Sequence, residues 1–269
     1  MCCPSRTYES VTYGSVSYSG RMRRQPAPSP TPDPVVEAVG DTVGDATRDL
    51  VAAVKPRLRG WLHAATFPLA LVAGIVLSVL APEGPPKVGA IVFTVTAALL
   101  FGTSAVYHRG RWSARVSGVL KRLDHSNIFL IIAGTYTPFA LSLLPPDQAR
   151  TLLLIVWGGA LGGVLFRVFW VNAPRWLYTP IYVALGWVAV FYFGPLLHFG
   201  GPAVVTLITV GGVLYTLGAV VYGTKRPNPS PRWFGFHEIF HAFTVLAFVA
   251  HYVAASLAVY GAGSSLSAS

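Results

Sequence analysis

The densest chemistry in the chain is the stretch Phe234-Gly235-Phe236-His237-Glu238-Ile239-Phe240-His241. On an α-helix, residues four apart return to the same face, so His237 and His241 stand about 6 Å apart along one side, where two imidazoles can grip a single metal ion. The plainer reading of the pair is two interfacial histidines at the end of a membrane helix. Matching groups on other helices at the same depth separate the two readings. His108 closes an earlier apolar run, with Ser104 four residues before it on the same helical face. Asp124 opens the next run, and His237 and His241 open the last. Beyond residue 50 the only acids are Glu83, Asp124, Asp147 and Glu238, and the only cysteines, Cys2 and Cys3, lie side by side in a polar tail. A thiolate site is therefore unavailable, and a metal has to be held by histidine and carboxylate. Three imidazoles with a fourth position open suit Zn²⁺ of the catalytic kind, whose bound water ionises near neutral pH. Asp124 could carry that water's proton or orient a ligating imidazole, and its position fits both roles equally. Ser104 could hydrogen-bond Asp124, or simply ease helix packing as a small residue.

The elements that must bring these groups together are membrane helices. Of 269 residues, 53% are hydrophobic and 11% charged, with a mean hydropathy of +0.56, far from the roughly 25% charge of a soluble domain. The net charge of +10 would point to nucleic acid in a soluble protein, but no basic stripe interleaved with aromatics is present. Lys and Arg cluster between apolar runs instead, which excludes a nucleic-acid partner and leaves membrane lipids. Residues 1–47, rich in Ser, Pro and Gly, read as a disordered basic tail without the apolar core of a signal peptide. Residues 48–62 read as an amphipathic interfacial segment, 63–260 as the membrane domain and 261–269 as a short outer tail.

Seven apolar runs approach the length needed to cross about 30 Å of hydrocarbon, near Ala64–Ala81, Val88–Val106, Ile128–Leu144, Thr151–Phe166, Ile181–Leu197, Val204–Tyr222 and Ile239–Tyr260. Lipid offers no partner to a bare backbone, so the expected fold is all-α, a polytopic seven-helix transmembrane bundle in which Pro138 kinks the third helix. Alternate loops hold fourteen Lys and Arg on one side against only Lys87 and Arg150 on the other. That bias places the N-terminus in the cytoplasm and the C-terminus outside, in the cell (cytoplasmic) membrane. On this topology His108, Asp124, His237 and His241 all meet the membrane at its cytoplasmic face.

Ser104-x-x-x-His108, Leu123-Asp124-His125, Ala133-Gly134-Thr135-Tyr136-Thr137-Pro138 and Phe234 to His241 together resemble the bacterial haemolysin III (hemolysin III) branch of the progestin and adipoQ receptor (PAQR) superfamily, over roughly Leu62 to Tyr260. The resemblance implies a seven-helix bundle with its N-terminus inside. It also implies zinc bound by His108, His237 and His241, with Asp124 beside the metal-bound water and Ser104 in the same site. Eukaryotic relatives include hormone receptors, some with ceramidase-like amide hydrolysis, and bacterial members are connected with haemolysis and membrane homeostasis. The function expected on that basis is zinc-dependent hydrolysis of a lipid amide or ester whose acyl chain lies between the helices.

Three other readings compete for the same residues. His237-Glu238-x-x-His241 matches the zinc metalloprotease signature, in which the Glu is the general base, but no acid follows Glu238 to serve as a third ligand. Glu238 is expected instead to face the headgroups or to pair with a basic loop residue. A cytolytic protein and a receptor-like sensor with structural zinc are the others. Among the remaining histidines, His63, His125 and His198 read as interfacial. His251, about 21 Å along the helix from His237, reads as facing the bundle interior in a packing role. Trp112, Trp170, Trp176 and Trp233 read as an aromatic belt.

Overall fold

The computed structural model describes residues 56, 58–170, 173–230 and 232–266, and all of these belong to one compact unit, Asp49–Ser269. The tail over 1–47 and most of the interfacial segment over 48–62 lie outside the described residues. Seven α-helices follow one another: α1 (Trp61–Leu80), α2 (Pro85–Arg109), α3 (Ala114–Leu143), α4 (Pro146–Phe169), α5 (Arg175–Gly186), α6 (Phe193–Thr224) and α7 (Phe236–Leu266). A 3₁₀ turn, Trp187–Tyr192, joins α5 to α6. No strand occurs among the described residues.

Local signals explain the helix starts. Prolines occupy the first turn of α2 and of α4, where a missing N–H costs nothing, and Asp147 adds a negative charge at the positive end of α4. At α3 the Ser113 hydroxyl caps the helix by accepting from the Val116 N–H at 3.4 Å. That cap lies fifteen residues before the expected apolar start at Ile128. The helix begins in the polar segment because exposed Arg115 and half-buried Lys121 and Arg122 are good helix formers that need no apolar contact. Asp124 and His125 therefore do not open α3 but sit inside it, about three turns along.

Six helical segments are long and apolar enough to cross a membrane, and one of them, Arg175–Thr224, has 50 residues. A straight helix of that length would run about 75 Å, more than twice the hydrocarbon thickness. It is not straight. Gly201 leaves the helix at φ 78°, ψ 174°, and Pro202 follows. The Trp187 indole N–H donates to the Thr216 hydroxyl at 3.0 Å, and the Tyr178 and Tyr222 hydroxyls lie 3.1 Å apart. Partners 29 and 44 residues apart, centred near residue 201, mean that the chain doubles back there. Only glycine adopts this backbone conformation readily. A methyl group at Gly201 would meet nothing within 4 Å, so Gly201→Ala tests backbone strain alone. We expect it to destabilise the protein by about 1–3 kcal/mol, read as a lower unfolding midpoint. Gly194→Ala, helical and equally open, is expected to raise that midpoint slightly.

α3 is the centre of the bundle: 61% of its most apolar stretch is buried, against 22% for α1 and for the Arg175–Thr224 hairpin. Phe129, Ala133, Pro138 and Ala140 fill its core-facing side, and Pro138 lies within the helix without ending it. Large side chains such as Leu69, Val79, Leu154 and Phe191 point outward on the surrounding helices, which is how a membrane protein meets lipid. α2 and α7 pack on α3, and α1 packs on both α2 and α7. The last turn of α2 and the first turns of α7 therefore meet beside the polar part of α3.

Candidate metal centre

His108 sits one residue before the end of α2, and His237 and His241 occupy successive turns at the start of α7. Each of the three offers a ring nitrogen, and these atoms all lie within 4.8 Å of one another. The Nε2 atoms of His108 and His237 are 3.3 Å apart. Ligands on a tetrahedral zinc at 2.0–2.1 Å are separated by about 3.4 Å, so this pair already has the spacing of two ligands to one ion. His108 and His241 are buried. The three rings could hold a metal ion, and their chemistry suits one that accepts nitrogen donors.

Asp124 reaches the same place from α3, with Oδ2 3.6 Å from His108 Nε2. Ser104, fully enclosed one turn before His108, lines the same cavity as Asp124. All five residues expected to form a site thus come together, three of them as candidate ligands and two beside them.

Two cavities meet at this cluster. A cleft of about 580 Å³ approaches from the helix ends and is lined by polar and charged groups including Arg59, His108, Lys121 and Arg175. A narrower cavity of about 130 Å³ runs into the bundle between apolar residues such as Leu100, Ile131, Phe139 and Ile208. Asp124 and His237 line both.

A family model described as haemolysin-III related matches residues 51–252. The chain belongs to the haemolysin III family. It is 35% identical over 154 residues to the hemolysin-3 homolog of Bacillus subtilis (strain 168), covering 57% of this chain and 69% of the relative. It is 34% identical over 180 residues to hemolysin-3 of Bacillus cereus, covering 66% of this chain and 79% of the relative. The family and the apolar helices together make this a multi-pass membrane protein.

In this haemolysin III protein Glu238 has a structural occupation. One carboxylate oxygen accepts from the Arg59 Nε–H at 2.9 Å and the other from the Gly235 backbone N–H at 2.8 Å. The second contact is half of a capping box, the third residue of α7 reaching back to the N–H before the helix. Glu238 is 1% exposed, so it pairs with a basic residue and does not face the headgroups. With both oxygens engaged it is poorly placed to serve as a protease base. We expect Glu238→Gln to retain the metal and to lower stability by roughly 1–3 kcal/mol through loss of the charge-assisted bond to Arg59, measured by thermal unfolding beside metal analysis.

Sequence reasoning missed His63. It is buried, and its ring stacks on that of His241 with centroids 3.8 Å apart and planes 3° from parallel. Gly60, at φ 80°, permits this approach, since a Cβ there would come within 2.7 Å of the His108 Cβ. Arg59, Gly60 and His63 thus bring the start of α1 against the ligand cluster. The available signal was a histidine near the start of the first apolar run, at the end of the bundle where basic residues gather. His125 is held within the protein: its ring contacts the Lys121 carbonyl at 2.7 Å and the Tyr222 hydroxyl at 3.2 Å. His198 is exposed as expected, and so are Trp112, Trp170, Trp176 and Trp233.

Proposed function

We propose that this protein is a zinc-dependent hydrolase of a lipid amide or ester, acting at the inner leaflet of the cytoplasmic membrane and so adjusting membrane lipid composition. The observation that carries the reading is the position of the histidine cluster, where a polar cleft and an apolar cavity join. A lipid has the same two parts, and the bond between headgroup and acyl chain would lie beside His237 and Asp124. Counting the hairpin around Gly201 as two legs makes seven crossings. Arg109, Arg111, Arg115, Lys121, Lys225 and Arg226 flank the cluster's end of the bundle, which makes that end cytoplasmic, with the N-terminus inside and the C-terminus outside.

His108, His237 and His241 would hold the zinc, which supplies Lewis acidity to the scissile carbonyl. Asp124 takes a proton from the attacking water as its oxygen bonds to the carbonyl carbon. The same carboxyl then gives that proton to the departing nitrogen or oxygen as its bond to carbon breaks, leaving a fatty acid and an amine or alcohol. Ser104 orients the carboxylate through its hydroxyl. The apolar cavity takes the acyl chain, and the cleft admits water and the headgroup.

The test is fatty-acid release from a panel of lipid amides and esters by zinc-loaded protein in liposomes, read by mass spectrometry with and without chelator. Release that the chelator abolishes supports the reading. Zinc-loaded protein that turns over nothing on the panel overturns it in favour of a receptor-like sensor with structural zinc.

A further inference from the structure

The apolar cavity has a second polar station far from the histidine cluster. His251 on α7 and Tyr215 on α6 both line it, with ring centroids 5.5 Å apart. The His251 Nε2–H donates to the Ile208 carbonyl at 3.2 Å, while Nδ1, and likewise the Tyr215 hydroxyl, is buried with no hydrogen-bond partner among the described residues. Buried polar groups are rarely left in this state, because each forfeits its solvation with nothing in return. Room for the imidazole comes from Gly211, where a Cβ would approach His251 Nε2 to 2.5 Å. Two helices and a glycine thus combine to hold two unsatisfied groups on residues that line one cavity.

The bonding pattern selects the ligand group. A carbonyl can only accept, so the Nε2 that faces Ile208 carries the hydrogen. No acid lines this part of the cavity, Asp124 at the opposite end being the only one in its lining, so the ring is uncharged and Nδ1 is a bare acceptor. Tyr215 can donate. A carboxylate or ketone would satisfy Tyr215 but set lone pair against lone pair at Nδ1. A hydroxyl satisfies both, giving its hydrogen to Nδ1 and accepting from Tyr215.

We propose that His251 and Tyr215 form a hydroxyl-binding subsite and that the preferred ligand of the cavity is an acyl chain with a mid-chain hydroxyl. His251 lies ten residues beyond His241, about 15 Å along α7, the reach of roughly twelve extended chain carbons. This rests on the reading of the cavity as an acyl-chain site and adds the class of chain it takes.

Free fatty acids, which are not turned over, provide the test. Equilibrium binding of octadecanoic, 2-hydroxyoctadecanoic and 12-hydroxyoctadecanoic acids to the zinc-loaded protein in detergent would be compared for wild type and Tyr215→Phe. In wild type the 12-hydroxy acid is expected to bind roughly tenfold tighter than the other two, from the two hydrogen bonds gained. In Tyr215→Phe that ratio is expected to fall towards one. Equal binding of all three to wild type shows that water alone serves the pair and overturns the subsite while leaving the acyl-chain reading intact. A ratio that survives in Tyr215→Phe also overturns it. Failure of every acid to bind removes the acyl-chain reading and the subsite together.

Discussion

Replacing His237 and His241 together by alanine is expected to take the purified protein from about one bound zinc per chain to less than a tenth. The two residues supply two of the three clustered ring nitrogens, and a single imidazole at His108 cannot hold zinc against dilution. Helix α7 should survive, because alanine is a better helix former than histidine and Glu238 still pairs with Arg59. The double variant is therefore expected to remain folded and helical while losing the extra thermal stability that metal binding confers on wild type. His198→Ala, which changes an exposed ring beside Phe199, is the matched control and is expected to keep its zinc. Metal analysis by mass spectrometry beside circular dichroism reads both effects. Retention of stoichiometric zinc by the double variant would place the ion elsewhere and end the hydrolase proposal.

The second large effect is expected at Asp124. Asp124→Asn keeps the shape of the side chain and its reach to Ser104 and His108 but removes its capacity to hold a proton. As proton carrier, Asp124 should contribute about 10²–10⁴ to turnover, so kcat is expected to fall by that factor with zinc content unchanged. If the carboxylate merely orients His108 at 3.6 Å, the loss appears instead as a 10–100-fold weaker zinc affinity, with kcat largely recovered at saturating zinc. Measuring kcat across a zinc titration separates the two roles, which the sequence left equally open. Ser104→Ala should give a smaller effect in the same direction as whichever role is found.

The three ligand candidates were legible because the evidence for them is local. His237 and His241 share a face by helical spacing, and His108 lies at the end of its run whatever the helices do further along. Asp124 was placed at the right end of the bundle for a partly mistaken reason. It sits inside an extended α3, whose polar start carries no hydrophobic signal and is announced only by the Ser113 cap. The fifth and sixth runs were recognised as separate, but the helical signal passes almost unbroken through Trp187–Tyr192, and Gly201 is where the chain turns back. Glu238 is the converse case. Its motif suggested a protease base, but it pairs with a basic residue, one of its two expected alternatives, and only the fold shows that the partner is Arg59, 179 residues away.

By itself the amino-acid sequence determined the membrane class, the extent of most helices, the end of the bundle at which polar chemistry gathers and which side chains could ligate. Composition and helical period act over a few turns, and lipid enforces them. Only the tertiary structure decided that His63 stacks on His241, that a polar cleft meets an apolar cavity at His237, and that Tyr215 and His251 share one wall. Those facts depend on which helices are neighbours and how they are rotated, and with apolar residues on every face, no stripe in the sequence records that choice.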